Sequence, residues 1–155
     1  MRIQSTRAVR GVIGAAAVLA AASGASAQCA SFSVGTSGGA AIDPGVTDIG
    51  NHCDDCVTTV ALPFPVMLYG TLYTSAAVSS NGNVQFGSSN SSYTNACLPQ
   101  TATLGTAICP QWDDLRTDAS GSGIFTSVSG VAPNRVFNIE WRATYFGGGG
   151  ATNFE

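Results

Sequence analysis

The segment RVFNIEWRATYF, residues 135–146, decides the fold class. Phe137, Ile139, Trp141, Ala143 and Tyr145 alternate with Val136, Asn138, Glu140, Arg142 and Thr144. An extended chain therefore carries five apolar or aromatic side chains on one face and a mixed set on the other, whereas a helix would scatter both sets around its axis. One apolar and one mixed face is the pattern of a strand that covers a core on one side only, as in two packed antiparallel sheets. Glu140 and Arg142, two apart on the mixed face, are expected to pair there for less than about 1 kcal/mol.

Outward from this strand the same grammar repeats. Pro133-Asn134 marks a turn before it, and Ile124 to Val128 reads as a shorter strand preceding that turn. Ile108 to Leu115 carries another apolar cluster, and Gly87 to Gln100 is a polar loop. Ser80-Asn81-Gly82-Asn83 is the sharpest turn signal, because Asn-Gly supplies two residues that tolerate the positive φ of tight hairpin turns. Asn83 to Phe86 then places Val84 and Phe86 on one face and Asn83 and Gln85 on the other. Val57 to Leu62 reads as a strand stopped by Pro63 and Pro65, followed by strands at Val66 to Tyr69 and Leu72 to Ser79. After Gly147 to Gly150, a four-glycine turn, Thr152 to Glu155 is a strand barely begun, so further closing strands are expected beyond Glu155. Nothing after Gly24 sustains a 3.6-residue apolar period, so almost no helix is expected. The sum is an all-β, antiparallel β-sandwich of jelly-roll type over residues 48–155, behind a Gly- and Ser-rich lead-in at 28–47.

The N-terminus reads as an export signal. Met1 to Arg10 holds three arginines and no acid, Gly11 to Ala22 is apolar, and Ala25-Ser26-Ala27 supplies a cleavage site before Gln28. The apolar run is shorter than the roughly 20 residues a membrane span needs. Gln28 also stands where a lipid-anchored Cys29 would want a small residue. Free secretion or a cell-surface location is expected, with no membrane insertion after residues 1–27 are removed. The composition narrows the partners. Charged residues make up 10% of the chain, lysine is absent, and Arg116, Arg135 and Arg142 face nine acids after cleavage. Such a surface repels phosphate, which sets aside nucleic acid and anionic membranes. Other extracellular proteins or glycans remain as partners.

All five cysteines follow the signal, and export makes disulfides the expected state. Cys97–Cys109 is the favoured pair, since no cysteine lies between them and closing that loop contributes about 3 kcal/mol on the chain-entropy model. Cys29 then pairs with Cys53 or Cys56, unless those two pair with each other. The odd count also fits a chain cut before its last cysteine.

Candidate chemistry is sparse, and a structural reading outweighs each instance. Gly35-Thr36-Ser37-Gly38-Gly39 has the spacing of a nucleophile elbow, but a real elbow joins a buried strand to a helix, with its acid and histidine far downstream. Here His52, the sole histidine, follows closely. Cys53-Asp54-Asp55-Cys56 has redox spacing, yet Asp54 and Asp55 would raise thiol pKa rather than lower it. Zinc would need two more ligands; Cys97 and Cys109 could serve, but no second Cys-x-x-Cys exists. Asp113, Asp114 and Asp118 are the candidate Ca²⁺ ligands or acid–base pair. Their structural reading is one carboxylate capping a turn and another pairing with arginine. Tyr93, Trp112, Tyr145 and Phe146 could form a sugar platform if exposed, while Trp141 belongs with the core. No catalytic residue and no cofactor is assigned.

Three segments carry a resemblance: Val78-Ser79-Ser80-Asn81-Gly82-Asn83-Val84-Gln85-Phe86, Pro110-Gln111-Trp112-Asp113-Asp114-Leu115, and Pro133-Asn134-Arg135-Val136-Phe137-Asn138-Ile139-Glu140-Trp141-Arg142. With Leu62-Pro63-Phe64 and Leu68-Tyr69-Gly70 ahead of them, they resemble a secreted bacterial domain similar to the nidogen-type extracellular domain, which recurs in large surface proteins. The resemblance implies a β-sandwich, an adhesive or structural role, no catalytic residues and further strands and domains in the same polypeptide. The expected function is thus a non-catalytic extracellular module. A carbohydrate-binding module, Ca²⁺-dependent through the aspartates, is the alternative, and a redox or hydrolytic secreted enzyme the third reading.

Overall fold

The computed structural model describes residues 35, 36, 38, 39, 41–99 and 102–155, and the expected signal at 1–27, Cys29 and Ser37 lie outside them. Nine strands and no helix form among the described residues. In chain order they are β1 (Thr47–Asp48), β2 (Val57–Leu68), β3 (Thr71–Ser79), β4 (Asn83–Phe86), β5 (Thr106–Ile108), β6 (Leu115–Arg116), β7 (Gly123–Val131), β8 (Asn134–Tyr145) and β9 (Ala151–Phe154).

The strand that the alternation of residues 135–146 predicts is β8, and it organises a five-stranded antiparallel sheet. Its registers fix who sits where. Arg142 faces Gly123 of β7 and Asn153 of β9, while Thr144 faces Arg116 of β6 and Ala151 of β9. A strand residue has one ladder neighbour on each side. Hence β7 and β6 follow one another along one edge of β8, β9 takes the other, and β1 extends the sheet beyond β7. The second sheet is antiparallel in the order β2-β3-β4-β5. Between the sheets, Ala76, Val78, Val84 and Phe86 meet Ile124 and Trp141. Trp141 is 1% exposed, stacks on Phe154 at 5.1 Å, and donates its indole N–H to Ser79 O across the sandwich at 2.8 Å. One side chain thus fills the core and ties the sheets, a role worth roughly 3 to 5 kcal/mol on truncation.

Three expectations change. First, Pro63 and Pro65 do not stop a strand: β2 runs through both. It is the edge strand of its sheet, where a missing N–H is tolerated. The ladder slips there, so that Leu62 to Pro65 stand opposite the single residue Thr74. Second, Ile108 to Leu115 is not one element. β5 ends at Ile108 in the small sheet and β6 begins at Leu115 in the large one, so residues 109–114 carry the chain from sheet to sheet. Third, the Asn-Gly hairpin is a three-residue loop, Ser80-Asn81-Gly82, closed by the pair Ser79↔Asn83. Gly82 alone there takes positive φ (72°), which leaves Asn81 free to point its amide inward.

The lead-in also reaches the sandwich before residue 48. Gly45 N–H donates to Glu140 Oε2 at 2.8 Å, and Val46 N–H to Thr126 O at 3.0 Å.

Candidate functional site

Two of the quoted motifs, Ser80-Asn81-Gly82-Asn83 and Trp112-Asp113-Asp114-Leu115, converge at one end of the sandwich, where the β3–β4 loop, the sheet-to-sheet crossing and the Cys53–Cys56 turn meet. Ser79, Ser80, Asn81, Asn83 and Gln85 are all fully buried. Burying that many polar groups is tolerable only if they are hydrogen-bonded. Asn83 Nδ2 finds no partner among the described residues, but Asn81 is fully satisfied: Nδ2 donates to Asp55 Oδ1 (2.8 Å) and Ser91 O (2.9 Å), and Oδ1 accepts from Leu115 N–H (2.8 Å). One side chain thus joins the Cys53–Cys56 turn, the polar loop and β6. Gln85, on the polar face of β4, donates to Asn83 Oδ1 (2.8 Å) and Asn90 O (2.6 Å) and accepts from Asn90 N–H (2.8 Å). The loop after Phe86 therefore roofs this face rather than leaving it to solvent.

The Cys53–Cys56 turn is held from two sides. Cys56 exchanges hydrogen bonds with Ser80, N–H to Oγ at 3.1 Å and Ser80 N–H to Cys56 O at 2.9 Å. On the other side Thr117 N–H donates to Cys53 O at 2.9 Å, and Asp54 forms an isolated antiparallel bridge with Arg116. A disulfide joins Cys53 and Cys56, whose Cα atoms are 6.0 Å apart. Of the possibilities for these two thiols, they pair with each other. Among the described residues no disulfide joins Cys97 to Cys109. Cys97 is exposed in the polar loop, while Cys109 is half-buried directly after β5, held by that strand's register with β4. Burial pushes the Cys109 thiol pKa up.

This turn delivers two acids that the spacing argument treated only as neighbours of thiols. One carboxylate oxygen from each of Asp54, Asp55 and Asp114 lies within 4.8 Å of the other two. Asp114 comes from the crossing between sheets, about sixty positions along the chain. The three expected Ca²⁺ candidates are not brought together. Asp113 caps the next N–H, donated by Asp114 at 2.8 Å, and Asp118 is forked by Arg116 at 2.6 and 2.5 Å. Of the three, Asp114 is the one that joins Asp54 and Asp55. Its carboxyl is raised above the usual range, first by desolvation and then by the charges of Asp55, Asp54 and Asp113. The donor set that could hold a metal is therefore Asp54, Asp55 and Asp114. In the sequence, the tandem acids of Asp54-Asp55 and Asp113-Asp114 were the available signal, but nothing local says that the two tandems meet.

The remaining candidates are placed as follows. His52 is half-exposed, its Nε2 2.7 Å from Asp48 Oδ2 and its Nδ1 3.0 Å from Ser122 O. Its pKa is raised, chiefly by the hydrogen bond to Asp48, against an opposing effect of burial. Glu140 and Arg142 do pair, at 2.7 Å, but Glu140 is 2% exposed and also accepts from Gly45 N–H. Burial pushes its carboxyl up; the bonds from Arg142, Gly45 and Asn153 outweigh that and hold it below the usual range. Among the aromatics, Trp112 donates to Ser92 O at 2.8 Å and the Tyr145 hydroxyl accepts from Gln111 at 2.7 Å, while Tyr93 and Phe146 are exposed.

A two-sheet antiparallel sandwich with a buried polar seam and a disulfide at one end is a β-sandwich module. Comparison with protein families makes this specific: the model of a family described as NIDO related matches residues 26–155, and the chain belongs to that nidogen-related family. No curated protein and no solved structure matches it.

Proposed function

We propose that the chain is a non-catalytic extracellular module, a structural or adhesive unit of a larger secreted or cell-surface protein. Family membership supports an extracellular setting. The observation that carries the non-catalytic part is how the motif residues are used. Asn81, Gln85, Trp112, Asp113 and Trp141 all direct polar atoms at backbone groups or neighbouring side chains of the fold. Such motif residues hold two sheets and a crossing together, and their chemistry is architectural. The adhesive part has support at the opposite end of β2. Met67, Tyr69 and Leu72, at the β2–β3 turn, are 71%, 81% and 58% exposed. Large apolar side chains clustered in water favour contact with another macromolecule.

The test is a binding and turnover panel on the oxidised protein. Beads coated with it are expected to adhere to a subset of extracellular proteins or glycans, and Tyr69→Ser with Leu72→Ser to abolish adhesion without changing the unfolding midpoint. Insulin reduction and ester hydrolysis are expected to stay at background. Turnover that disappears on His52→Ala or Cys53→Ser would overturn the reading.

A further inference from the structure

We propose that Asp54, Asp55 and Asp114 bind one divalent cation, of the Ca²⁺ class, at the end of the sandwich where the two sheets are stitched together. The donors are hard oxygens, and the neighbouring Cys53 and Cys56 sulfurs are in a disulfide and unavailable as thiolates. Oxygen-only sites select Ca²⁺ or Mg²⁺ over softer metals. Ca²⁺ is the more tolerant of an irregular donor set, and the spacing allows it. Ca²⁺ takes oxygens at about 2.3–2.6 Å, so two ligands on opposite sides of it stand roughly 4.8 Å apart. The three carboxylate oxygens fall within 4.8 Å of one another, within reach of a single ion. Mono- or bidentate, they supply about three to six of the six to eight oxygens Ca²⁺ takes.

A second observation is independent of the acid count. Asp54 Oδ1 is sealed from solvent and accepts no hydrogen bond among the described residues. A buried anionic oxygen left so is costly, and a cation removes the cost. The Arg116 side chain acts on Asp54 only through its charge, since its guanidinium is forked onto Asp118. The site is also built rather than incidental. Fully buried Asn81 grips Asp55 Oδ1 at 2.8 Å, the disulfide brackets Asp54 and Asp55, and Leu115 N–H, next to Asp114, is fixed by Asn81 Oδ1. Asn81 thereby sets both halves of the donor set at once.

The experiment is calorimetric titration of the oxidised, metal-stripped chain with CaCl₂ and, separately, MgCl₂, paired with thermal unfolding at each metal concentration. One Ca²⁺ per chain is expected, with affinity near the 10⁻⁴–10⁻³ M of extracellular modules and about ten-fold or more weaker binding of Mg²⁺. Asp114→Asn and Asp54→Asn are expected to lose the Ca²⁺-dependent rise in midpoint, whereas Asp118→Asn keeps it. Without metal, Asp114→Asn is expected to unfold no earlier than the wild type, since it relieves repulsion among four acids; a purely structural carboxylate would show the reverse. The proposal fails if the wild type gives neither heat nor a midpoint shift up to about 10 mM Ca²⁺. It also fails if Asp114→Asn keeps the full response, or if that variant is markedly less stable in metal-free buffer.

Discussion

Replacing Asn81 by alanine is the perturbation that most directly tests the polar seam. The substitution removes two donated bonds, to Asp55 Oδ1 and Ser91 O, and one accepted bond from Leu115 N–H. A neutral hydrogen bond contributes about 1 kcal/mol net and one to a carboxylate about 1.5 to 3, while a buried donor left without a partner costs about 1 to 3. Leu115 is fully buried, so its N–H is stranded when Asn81 Oδ1 goes. Allowing for relaxation, the loss is about 4 kcal/mol, much of the 5–15 kcal/mol typical of a domain. For a sandwich of this size that corresponds to roughly 15 °C in unfolding midpoint. Equilibrium urea unfolding of the oxidised protein measures it directly, with the slope unchanged if the native fold persists. Asn95→Ala is the control, because Asn95 is exposed and makes a single bond to Trp112 O, so its loss is expected below about 1 kcal/mol. Asn81→Asp keeps an acceptor for Leu115 but sets a carboxylate against Asp55, and is expected to fall between wild type and alanine. An Asn81→Ala loss no larger than that of Asn95→Ala would refute the reasoning.

Three further outcomes are expected. Gly82→Ala and Gly148→Ala both place a Cβ on a residue with positive φ, but a Cβ at Gly82 would lie 2.0 Å from Gln111 O, while Gly148 opens onto empty space. Gly148→Ala should cost about 1 kcal/mol and Gly82→Ala several times that; equal urea midpoints would contradict the packing of the crossing against the β3–β4 loop. His52 faces two acceptor oxygens, Ser122 O and Asp48 Oδ2, with a ring that, when neutral, has one N–H. Its folded pKa stands above the ordinary 6.5 of a histidine, so its stabilisation is complete below that pH and is lost as pH rises through the raised value. The urea midpoint should fall over that window in the wild type and less in His52→Gln, and parallel pH profiles would remove the His52–Asp48 contact from the account. Peptide mapping without reduction should return Cys53 and Cys56 in one cross-linked fragment. Replacing both by serine should cost about 2 kcal/mol, the small value that so short a loop allows.

The Asn81 and Gly82 predictions touch what could and could not be read in advance. The period-two alternation of Phe137 to Tyr145 placed Trp141 in the core and Glu140 with Arg142 on the other face, and the structure agrees on the core position and on the ion pair. It did not show that Gly45 would cross over Glu140 and bury it, because that contact joins residues 95 positions apart. Pro63 and Pro65 looked like a stop because the rule against proline applies to strands paired on both sides, and only the sheet order shows that β2 is an edge. The Asn-Gly signal gave the turn's place, but the loop length was set by where Asn81 finds partners.

What the sequence by itself determined is everything governed by local sterics: strand periodicity, the turn at Gly82, the absence of helix among the described residues and the all-β class. Those follow from backbone geometry that each short segment carries alone. Only the tertiary structure decided that Asp114, rather than Asp113 or Asp118, joins Asp54 and Asp55. That meeting depends on the chain crossing from β5 in one sheet to β6 in the other beside the disulfide turn. The packing of two sheets selects such a contact; local residue preferences are silent on it, because they carry no information about which distant segment a turn will face.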